Sequence, residues 1–321
     1  MRLLDPSLIP NTLWSSDRQV LAVPKTLAQA YARHIDSLGL LNLSAQRTSN
    51  DPPVGGSTID ATNKHYSQAF DSSAARVQLA ILDPFSQLAD VSNIIIRRMA
   101  GDRFSLVDAP CGVGAAALSI LSTIAELRKS GSFPRSPLDV HLIGAEISDT
   151  ARKYAEQLTA LVEDDLADQA IFIHREFLPW DVLRNISNTD LIQRVVRVNT
   201  DDRPNCLIIA NFSAFLEKEK KRKEAGPQLE ELIRHTSRSE GYALWLEPCT
   251  NTATSAGGLL PWVTEMFSNK WKSLFLPKQD SDDALVHLTS SARYVRVLNP
   301  LEMPRVNVAV VRSEFTPRFT S

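Results

Sequence analysis

The sequence lacks the features that mark several large classes of protein. It has only three cysteines, Cys111, Cys206 and Cys249, which are too far apart for a zinc site or a disulfide framework. No apolar run approaches the ~18 residues of a membrane-spanning helix, and the first residues lack the apolar centre of a signal peptide. We therefore expect no metal site, and we expect a soluble protein of the cytoplasm.

An excess of charge of either sign is also missing. The 35 lysines and arginines and 37 acidic residues give a net charge of −2, with a pI of about 6.3. This balance provides no global attraction for nucleic acid or a membrane. One run, Glu217–Glu224, is dense in charge, and its acids precede lysines at i,i+4 spacing as on a solvated helix face. The alternative interpretation is a local phosphate contact at residues 218–223.

The sequence does contain a strand, a tight turn and a helix between Phe104 and Leu121. A short apolar run rich in β-forming residues predicts the strand, and strong helix formers follow from Ala115. Between them, Gly112 and Gly114 let the backbone turn sharply and approach a ligand closely. The helix that follows directs its free N–H groups into the turn, so this stretch predicts a ligand-binding site.

The stretch resembles motif I of the class I S-adenosylmethionine (SAM) methyltransferases, an apolar strand that ends in Asp or Glu followed by x-x-C/G-x-G. The resemblance implies a doubly wound, mostly parallel, seven-stranded α/β sheet with an N-terminal helical extension. It also implies that SAM is bound by the turn residues Asp108, Ala109, Pro110, Cys111, Gly112 and Gly114.

The turn has a second interpretation, because Gly112, Gly114 and Ala117 also match the dinucleotide fingerprint G-x-G-x-x-G/A. That match would indicate an NAD-dependent oxidoreductase. Two features favour the methyltransferase instead. An acid and three further residues separate the strand from the first glycine. The next acidic strand end, Glu146, also follows Gly112 by more than thirty residues, against roughly 20 in the dinucleotide unit.

We predict that residues 1–100 form an N-terminal helical or lid region with a flexible loop at about 44–63. Residues 101–321 are predicted to form the SAM-binding domain. Tyr66, Phe70 and Arg76 lie on a predicted helix just before the turn. We interpret them as substrate residues, with the aromatic rings closing the pocket and Arg76 holding a carboxylate or phosphate. The alternative is that the rings pack in the core and Arg76 is solvated.

The ends of the next two predicted strands provide further cofactor candidates. After the strand Leu138–Ala145, the resemblance implies that Glu146 accepts hydrogen bonds from the ribose hydroxyls, with Ile147 beside it. The alternative is an acid that only stabilises a helix N-terminus. The strand Ala170–His174 precedes Glu176 and Phe177, which by resemblance would recognise the adenine.

The fourth predicted strand, Cys206–Ala210, precedes Asn211 and Phe212, which by resemblance contact the cofactor beside the reacting methyl group. The Asp/Asn-Pro-Pro-Tyr/Phe motif of several nucleic-acid amino methyltransferases is missing there, which argues against methylation of adenine N6 or cytosine N4 in DNA. The alternative role of Asn211 is to cap the next helix.

The fifth predicted strand is followed by Glu247-Pro248-Cys249-Thr250. This ending is similar to that of Rsm22-type ribosome-associated methyltransferases, although the cysteines of their metal cluster are missing here. Asn211 and Glu247 are the candidate catalytic residues. His65 and Asp181 are further candidates for a base.

The sequence thus predicts methyl transfer from SAM to an O, N or C nucleophile, with catalysis based mainly on alignment. RNA, protein and small molecules all remain open as the acceptor, and the oligomeric state is open as well. A second hypothesis is a non-catalytic SAM- or nucleotide-binding scaffold or sensor, and a third is the NAD-dependent oxidoreductase.

Overall fold

The described residues form a single mixed sheet of nine strands. The computed structural model describes residues 2–47, 55–199, 203–236, 241–250, 258, 261–264 and 288–314. The strands are β1 (Trp14–Ser15), β2 (Val20–Ala22), β3 (Arg103–Asp108), β4 (Leu138–Glu146), β5 (Ile171–Pro179), β6 (Asn205–Ala210), β7 (Tyr242–Glu247), β8 (Leu288–Val295) and β9 (Arg305–Glu314). Their order across the sheet is β1-β2-β8-β9-β7-β6-β3-β4-β5.

Helices cover both faces of the sheet. They are α1 (Lys25–Ser37), α2 (Leu41–Ala45), α3 (Ile59–Leu82), α4 (Ala89–Met99), α5 (Ala115–Lys129), α6 (Asp149–Ala167), α7 (Asn185–Val198), α8 (Ser213–Lys218) and α9 (Arg222–Thr236). Apolar residues of α1 and α3–α6 form one core on one face, and those of α7–α9 form a second core on the other. This is the layered arrangement that crossover connections between parallel strands produce.

The prediction of a doubly wound, mostly parallel sheet is confirmed, but the predicted number of seven strands is wrong. β3 to β7 are mutually parallel, and β9 is antiparallel to both β7 and β8. The two additional strands are β1 and β2, because β2 pairs in parallel with β8 through Val20 and Arg293. Strands this short leave too little periodicity in the sequence to be recognised.

The predicted loop at about 44–63 is wrong at its C-terminal end, where α3 already begins at Ile59. The hydroxyl of Thr58 accepts a hydrogen bond from the backbone N–H of Ala61 and caps the helix. Residues 48–54 of the predicted loop lie outside the described residues. The earlier start matters because it extends the helix by a turn beside the glycine turn of β3.

β5 is longer than the sequence indicates. The predicted strand ends at His174, whereas the observed strand continues to Pro179 and pairs with β4 along its whole length, from Leu138 opposite Ile171 to Glu146 opposite Pro179. The polar residues in its second half break the apolar run on which the prediction depended. The carboxyl end of β5 therefore lies five residues further along the chain.

The N-terminal region packs directly on the sheet domain. Its buried side chains belong to the same core as those of β3 and α5, and the hydroxyl of Ser119 on α5 donates to the carbonyl of Ala74 on α3. The domain boundary near residue 100 remains a prediction. Among the described residues, no helix is both long enough and apolar enough to cross a membrane.

Candidate functional site

A cavity of about 490 Å³ lies where β3, β4, β6 and β7 reach their carboxyl ends, with α3 as its opposite wall. Ligands of doubly wound proteins bind at this edge of the sheet. Among the residues predicted from the sequence, those in the cavity wall are His65, Phe70, Arg76, Asp108, Pro110, Cys111, Gly112, Glu146, Ile147, Asp181, Asn211, Phe212 and Glu247. The fold thus brings together predicted residues from the ends of the strands and from α3.

The glycine turn after β3 forms the floor of the cavity. Gly112 and Gly114 have φ angles of +52° and +82°, a backbone conformation that other residues rarely adopt. A Cβ atom added to Gly112 would meet no protein atom within 4 Å, since it would project into the open cavity. Gly114 instead caps α5, and Ala109 is buried in the second core, so neither lines the cavity.

The carboxylate of Glu146 joins the ends of β3 and β4. Its Oε2 accepts a hydrogen bond of 3.1 Å from the backbone N–H of Gly112, and its Oε1 accepts one of 3.0 Å from Ser148. The residue is 9% exposed, and burial raises the pKa of its carboxyl group, while these two hydrogen bonds oppose the increase. Each carboxylate oxygen has two lone pairs, so Glu146 can still accept from a ligand in the cavity.

Asp108, at the end of β3, is buried with one oxygen unpaired. Its Oδ2 accepts from the N–H of Ala117 at 3.2 Å, whereas its Oδ1 has no hydrogen-bond partner among the described residues. Burial raises the pKa of this carboxyl group to about 7, and the charge of Glu146 adds to the increase. A buried carboxylate oxygen without a donor is costly, so its position in the cavity wall indicates a site for a donor on a ligand.

The turn after β6 holds Asn211 in a left-handed conformation with a φ of +57°. Asparagine tolerates this region better than most residues, and the backbone N–H of Asn211 is fixed by a 3.0 Å hydrogen bond to the carbonyl of Leu246 on β7. Its side-chain Oδ1 accepts from Nη1 of Arg76 on α3. Asn211 and Arg76 therefore form a polar bridge across the cavity between the sheet and α3.

Glu247, which the sequence suggested as a catalytic base, is fully occupied by hydrogen bonds. Its carboxylate accepts from the N–H groups of Phe212 and Ser213 at 2.8 and 2.9 Å, from the Ser213 hydroxyl at 2.7 Å and from the Trp245 indole at 2.8 Å. Burial raises its pKa, and these donors oppose the increase. Because four donors from this part of the fold occupy its oxygens, we assign Glu247 to holding the β6–α8 turn.

Replacing Glu247 with glutamine is therefore expected to lower the free energy of unfolding by about 3 kcal/mol or more, because an amide cannot accept from all four donors. Urea unfolding followed by circular dichroism measures this change. The matched control is Glu302→Gln, since Glu302 is an exposed acid outside the cavity. A Glu247→Gln protein with unchanged stability would show that the four hydrogen bonds do not hold the turn.

No protein-family model matches the chain, and no curated protein matches it. The solved structures that resemble it include a Listeria monocytogenes protein provisionally described as a class I SAM-dependent methyltransferase (12% identity, 93% of this chain and 90% of that chain covered, TM-score 0.35). Another is the glycopeptide N-methyltransferase MtfA complexed with sinefungin (12% identity, 69% and 68% covered, TM-score 0.26). A third is SCL7 of Oryza sativa (13% identity, 76% and 67% covered, TM-score 0.30). At these identities and TM-scores, the likeness carries no argument about what this chain binds or does.

The structure does not bring Glu176, Phe177 or Tyr66 to the cavity wall. Glu176 lies within β5, and its carboxylate pairs with His141 at 2.9 Å and Arg194 at 2.5 Å. The Phe177 ring packs so closely over Gly144 that a Cβ atom there would lie 2.3 Å from it. Both residues lie inside the strand because β5 ends at Pro179 rather than at His174.

Tyr66 is buried in an aromatic cluster behind the cavity rather than in its wall. Its hydroxyl bonds to Nδ1 of His34 at 2.8 Å, and its ring contacts those of Tyr31, Phe70 and Tyr154. Phe70, one helical turn further along α3, does line the cavity although it is only 1% exposed. For Tyr66 the structure therefore supports the core-packing alternative.

The residues after β5 that do line the cavity are Trp180, Asp181 and Val182. The Asp181 carboxylate accepts from the N–H of Leu183 at 3.0 Å, and the Trp180 indole donates to Asn188 at 3.2 Å. The sequence proposed Asp181 only as a base. Pro179 is the sequence feature that could have indicated the true end of β5, because proline has no N–H to donate and so marks where a strand stops.

Besides Arg76, two further residues with basic side chains, Arg47 and His65, line the cavity. Burial, together with the charge of Arg76, lowers the pKa of His65 to about 4, so its imidazole is neutral near pH 7. The dense run of charge lies elsewhere. Lys221 pairs with Glu224 at 3.0 Å and Arg222 with Glu217, and the side chain of Lys218 lies outside the described part of the chain.

Proposed function

We propose that this protein binds SAM in the cavity and transfers its methyl group to an acceptor bound beside it. One observation carries the proposal. Gly112, Glu146 and Asp108 line one cavity at the carboxyl ends of adjacent parallel strands, and one buried oxygen of Asp108 has no hydrogen-bond partner among the described residues. This set combines a backbone cradle with two acceptor-only groups, which suits a cationic nucleoside.

The residues present fit the chemical groups of SAM. Glu146 would accept hydrogen bonds from the two ribose hydroxyls, while Gly112 gives the nucleoside room to approach the backbone. The unpaired Oδ1 of Asp108 would accept from the ammonium group of the methionine part. Asp181 would accept from the adenine amine with the Ile147 side chain against the ring, the role that the sequence gave to Glu176 and Phe177.

When bound, SAM supplies a methyl group on a positively charged sulfur, which is already activated for in-line displacement by a nucleophile. The protein need only align the acceptor and exclude water. Asn211 is placed for alignment, because Arg76 fixes its Oδ1 and its Nδ2 has no partner among the described residues. His65, with its neutral imidazole in the cavity wall, is the candidate to take a proton from an acceptor that carries one.

Calorimetric titration with SAM, S-adenosylhomocysteine and NAD tests the proposal. We expect micromolar dissociation constants for the first two, which correspond to about −8 kcal/mol, and no measurable binding of NAD. A cationic ligand also lowers the pKa of Asp108, so binding of SAM should release protons near pH 7. Buffers with different ionisation enthalpies measure that release. Selective binding of NAD, or of none of the three, would contradict the proposal.

A scaffold or sensor would bind SAM in the titration but would not transfer its methyl group to an acceptor. Methyl-labelled SAM incubated with candidate RNA, protein and small-molecule acceptors separates these functions, since only an enzyme transfers the label.

We also propose the cytoplasm as the location, because Cys111, Cys206 and Cys249 are all free thiols.

A further inference from the structure

Two arginines line the side of the cavity toward β6, β9 and β8, away from Glu146 at the end of β4. Arg76 donates from Nε to the carbonyl of Asn307 on β9 at 3.0 Å and from Nη1 to Asn211 after β6. Since β7 lies between β9 and β6 in the sheet, the guanidinium group spans the end of β7. Arg47 lines the same cavity and faces Tyr294 of β8. We call Arg47 and Arg76 the arginine end.

The arginine end is separated from the proposed nucleoside position by most of the cavity. In the sheet order β7-β6-β3-β4, three strand spacings lie between β7 and β4, which is about 14 Å. A nucleoside held by Glu146 at the end of β4 therefore leaves the space in front of Arg76 for a second molecule. That space is the position of the methyl acceptor under the proposed function.

The charges at the arginine end are not neutralised within the described part of the chain. No carboxylate lies within 4 Å of the Arg76 guanidinium there, and its Nη2 has no hydrogen-bond partner. The Nη1 of Arg47 is buried and also lacks a partner. The carboxylate that acts on Arg76 at longer range is that of Glu247, which is already bound by four donors. The Arg76 Nη2 is only partly buried, whereas the Arg47 Nη1 is a buried donor without a partner, and such a donor indicates an acceptor on a ligand.

Apolar side chains line the same cavity as the two arginines. They include Ala69 and Phe70 on α3, Phe215 on α8 and Pro248 after β7. A planar guanidinium group beside such a surface suits a carboxylate or phosphate attached to an apolar body, because it can bind two oxygens at once.

We propose that the arginine end binds an anionic group, a carboxylate or a phosphate, of a methyl acceptor whose remaining part is apolar. This inference rests on the proposed function, since it assigns the space beside SAM. The same anion chemistry could come from the carboxylate of SAM itself, so the experiment must distinguish the two sources.

Titration of the protein with benzoate, phenyl phosphate and benzyl alcohol, each with and without saturating S-adenosylhomocysteine, tests the inference. We expect the two anions to bind at least tenfold more tightly than the uncharged alcohol. Arg76→Gln should weaken the anions at least tenfold, and Arg76→Lys should restore only part of that loss. Arg312→Gln is the matched control, because Arg312 pairs with Asp90 at 3.0 Å outside the cavity.

The source of the anion is decided by a second pair of ligands, S-adenosylhomocysteine and 5′-methylthioadenosine, which lacks the amino-acid part. If Arg76→Gln weakens only the first, Arg76 binds the carboxylate of the cofactor and the acceptor assignment is overturned. Equal binding of benzoate and benzyl alcohol overturns it as well. Should Arg76→Gln not fold, Arg47→Gln provides the same comparisons.

This design separates the two proposals. Arginine-dependent binding of benzoate without any binding of S-adenosylhomocysteine would contradict the proposed function and leave the anion site standing. Binding of S-adenosylhomocysteine with no preference for anions would support the function and overturn the anion site.

Discussion

Replacing Glu146 with alanine is expected to weaken SAM binding at least 100-fold, whereas replacing Glu176 with alanine should leave it unchanged. Glu146 lines the cavity and can accept from two ribose hydroxyls, each such charge-assisted bond contributing about 1.5–3 kcal/mol. Removing the carboxylate also leaves the backbone N–H of Gly112 without its acceptor, so this hydrogen bond no longer holds the turn under the ligand. A factor of ten in affinity corresponds to 1.4 kcal/mol, and two lost bonds therefore exceed 100-fold.

Glu176 is the matched control because it is an acid on the neighbouring strand that the sequence also assigned to the cofactor. Its carboxylate pairs with His141 and Arg194 outside the cavity. Calorimetry on both variants, with circular dichroism to verify folding, makes the comparison. Equal losses in the two variants would show that the cofactor lies nearer β5 than we infer.

Replacing Asp108 with asparagine is expected to stabilise the ligand-free protein at pH 8 by about 2–4 kcal/mol while weakening SAM binding. Burial raises the pKa of Asp108 from 3.8 in the unfolded chain to about 7 in the folded one. The folded protein therefore holds the proton more tightly, and wild-type stability falls as pH rises from about 4 to about 7. Asparagine carries no charge, so the variant avoids this penalty.

The measurement is the difference in the free energy of unfolding between Asp108→Asn and the wild type at several pH values without ligand. The difference should be small near pH 4, grow up to about pH 7 and remain constant above it, because contributions of other groups, including His65, cancel between the variants. A constant difference at all pH values would show that Asp108 is not the titrating group. Tight SAM binding by the variant would contradict its proposed contact with the ammonium group.

The local features of this fold could be predicted from the sequence, and its longer-range features could not. The strand, turn and helix around Gly112 were predicted because the glycines, the apolar run and the helix formers occupy a few consecutive residues. Glu146 was found because it ends a continuous apolar strand. Both signals are read from neighbours along the chain, which is where sequence periodicity is informative.

The errors occurred where tertiary contacts override local pattern. β5 continues through polar residues because its partner β4 provides hydrogen bonds as far as Glu146, and this moved Glu176 and Phe177 away from the cavity. Glu247 resembles a catalytic acid in sequence, but its four donors come from the β6–α8 turn and from Trp245. Arg47 was missed because nothing near it in sequence indicates that it faces the cavity.

The pairing of β2 with β8 has a consequence for how this protein is made. Val20 lies opposite Arg293, so β2 joins the sheet beside a strand that follows it in the chain by well over two hundred residues. Contacts of such large sequence separation form late, because the intervening chain must be ordered first. During synthesis the edge of β2 that pairs with β8 must therefore stay without its partner until β8 has been translated, and premature association of that edge with another nascent chain is a natural route to misassembly.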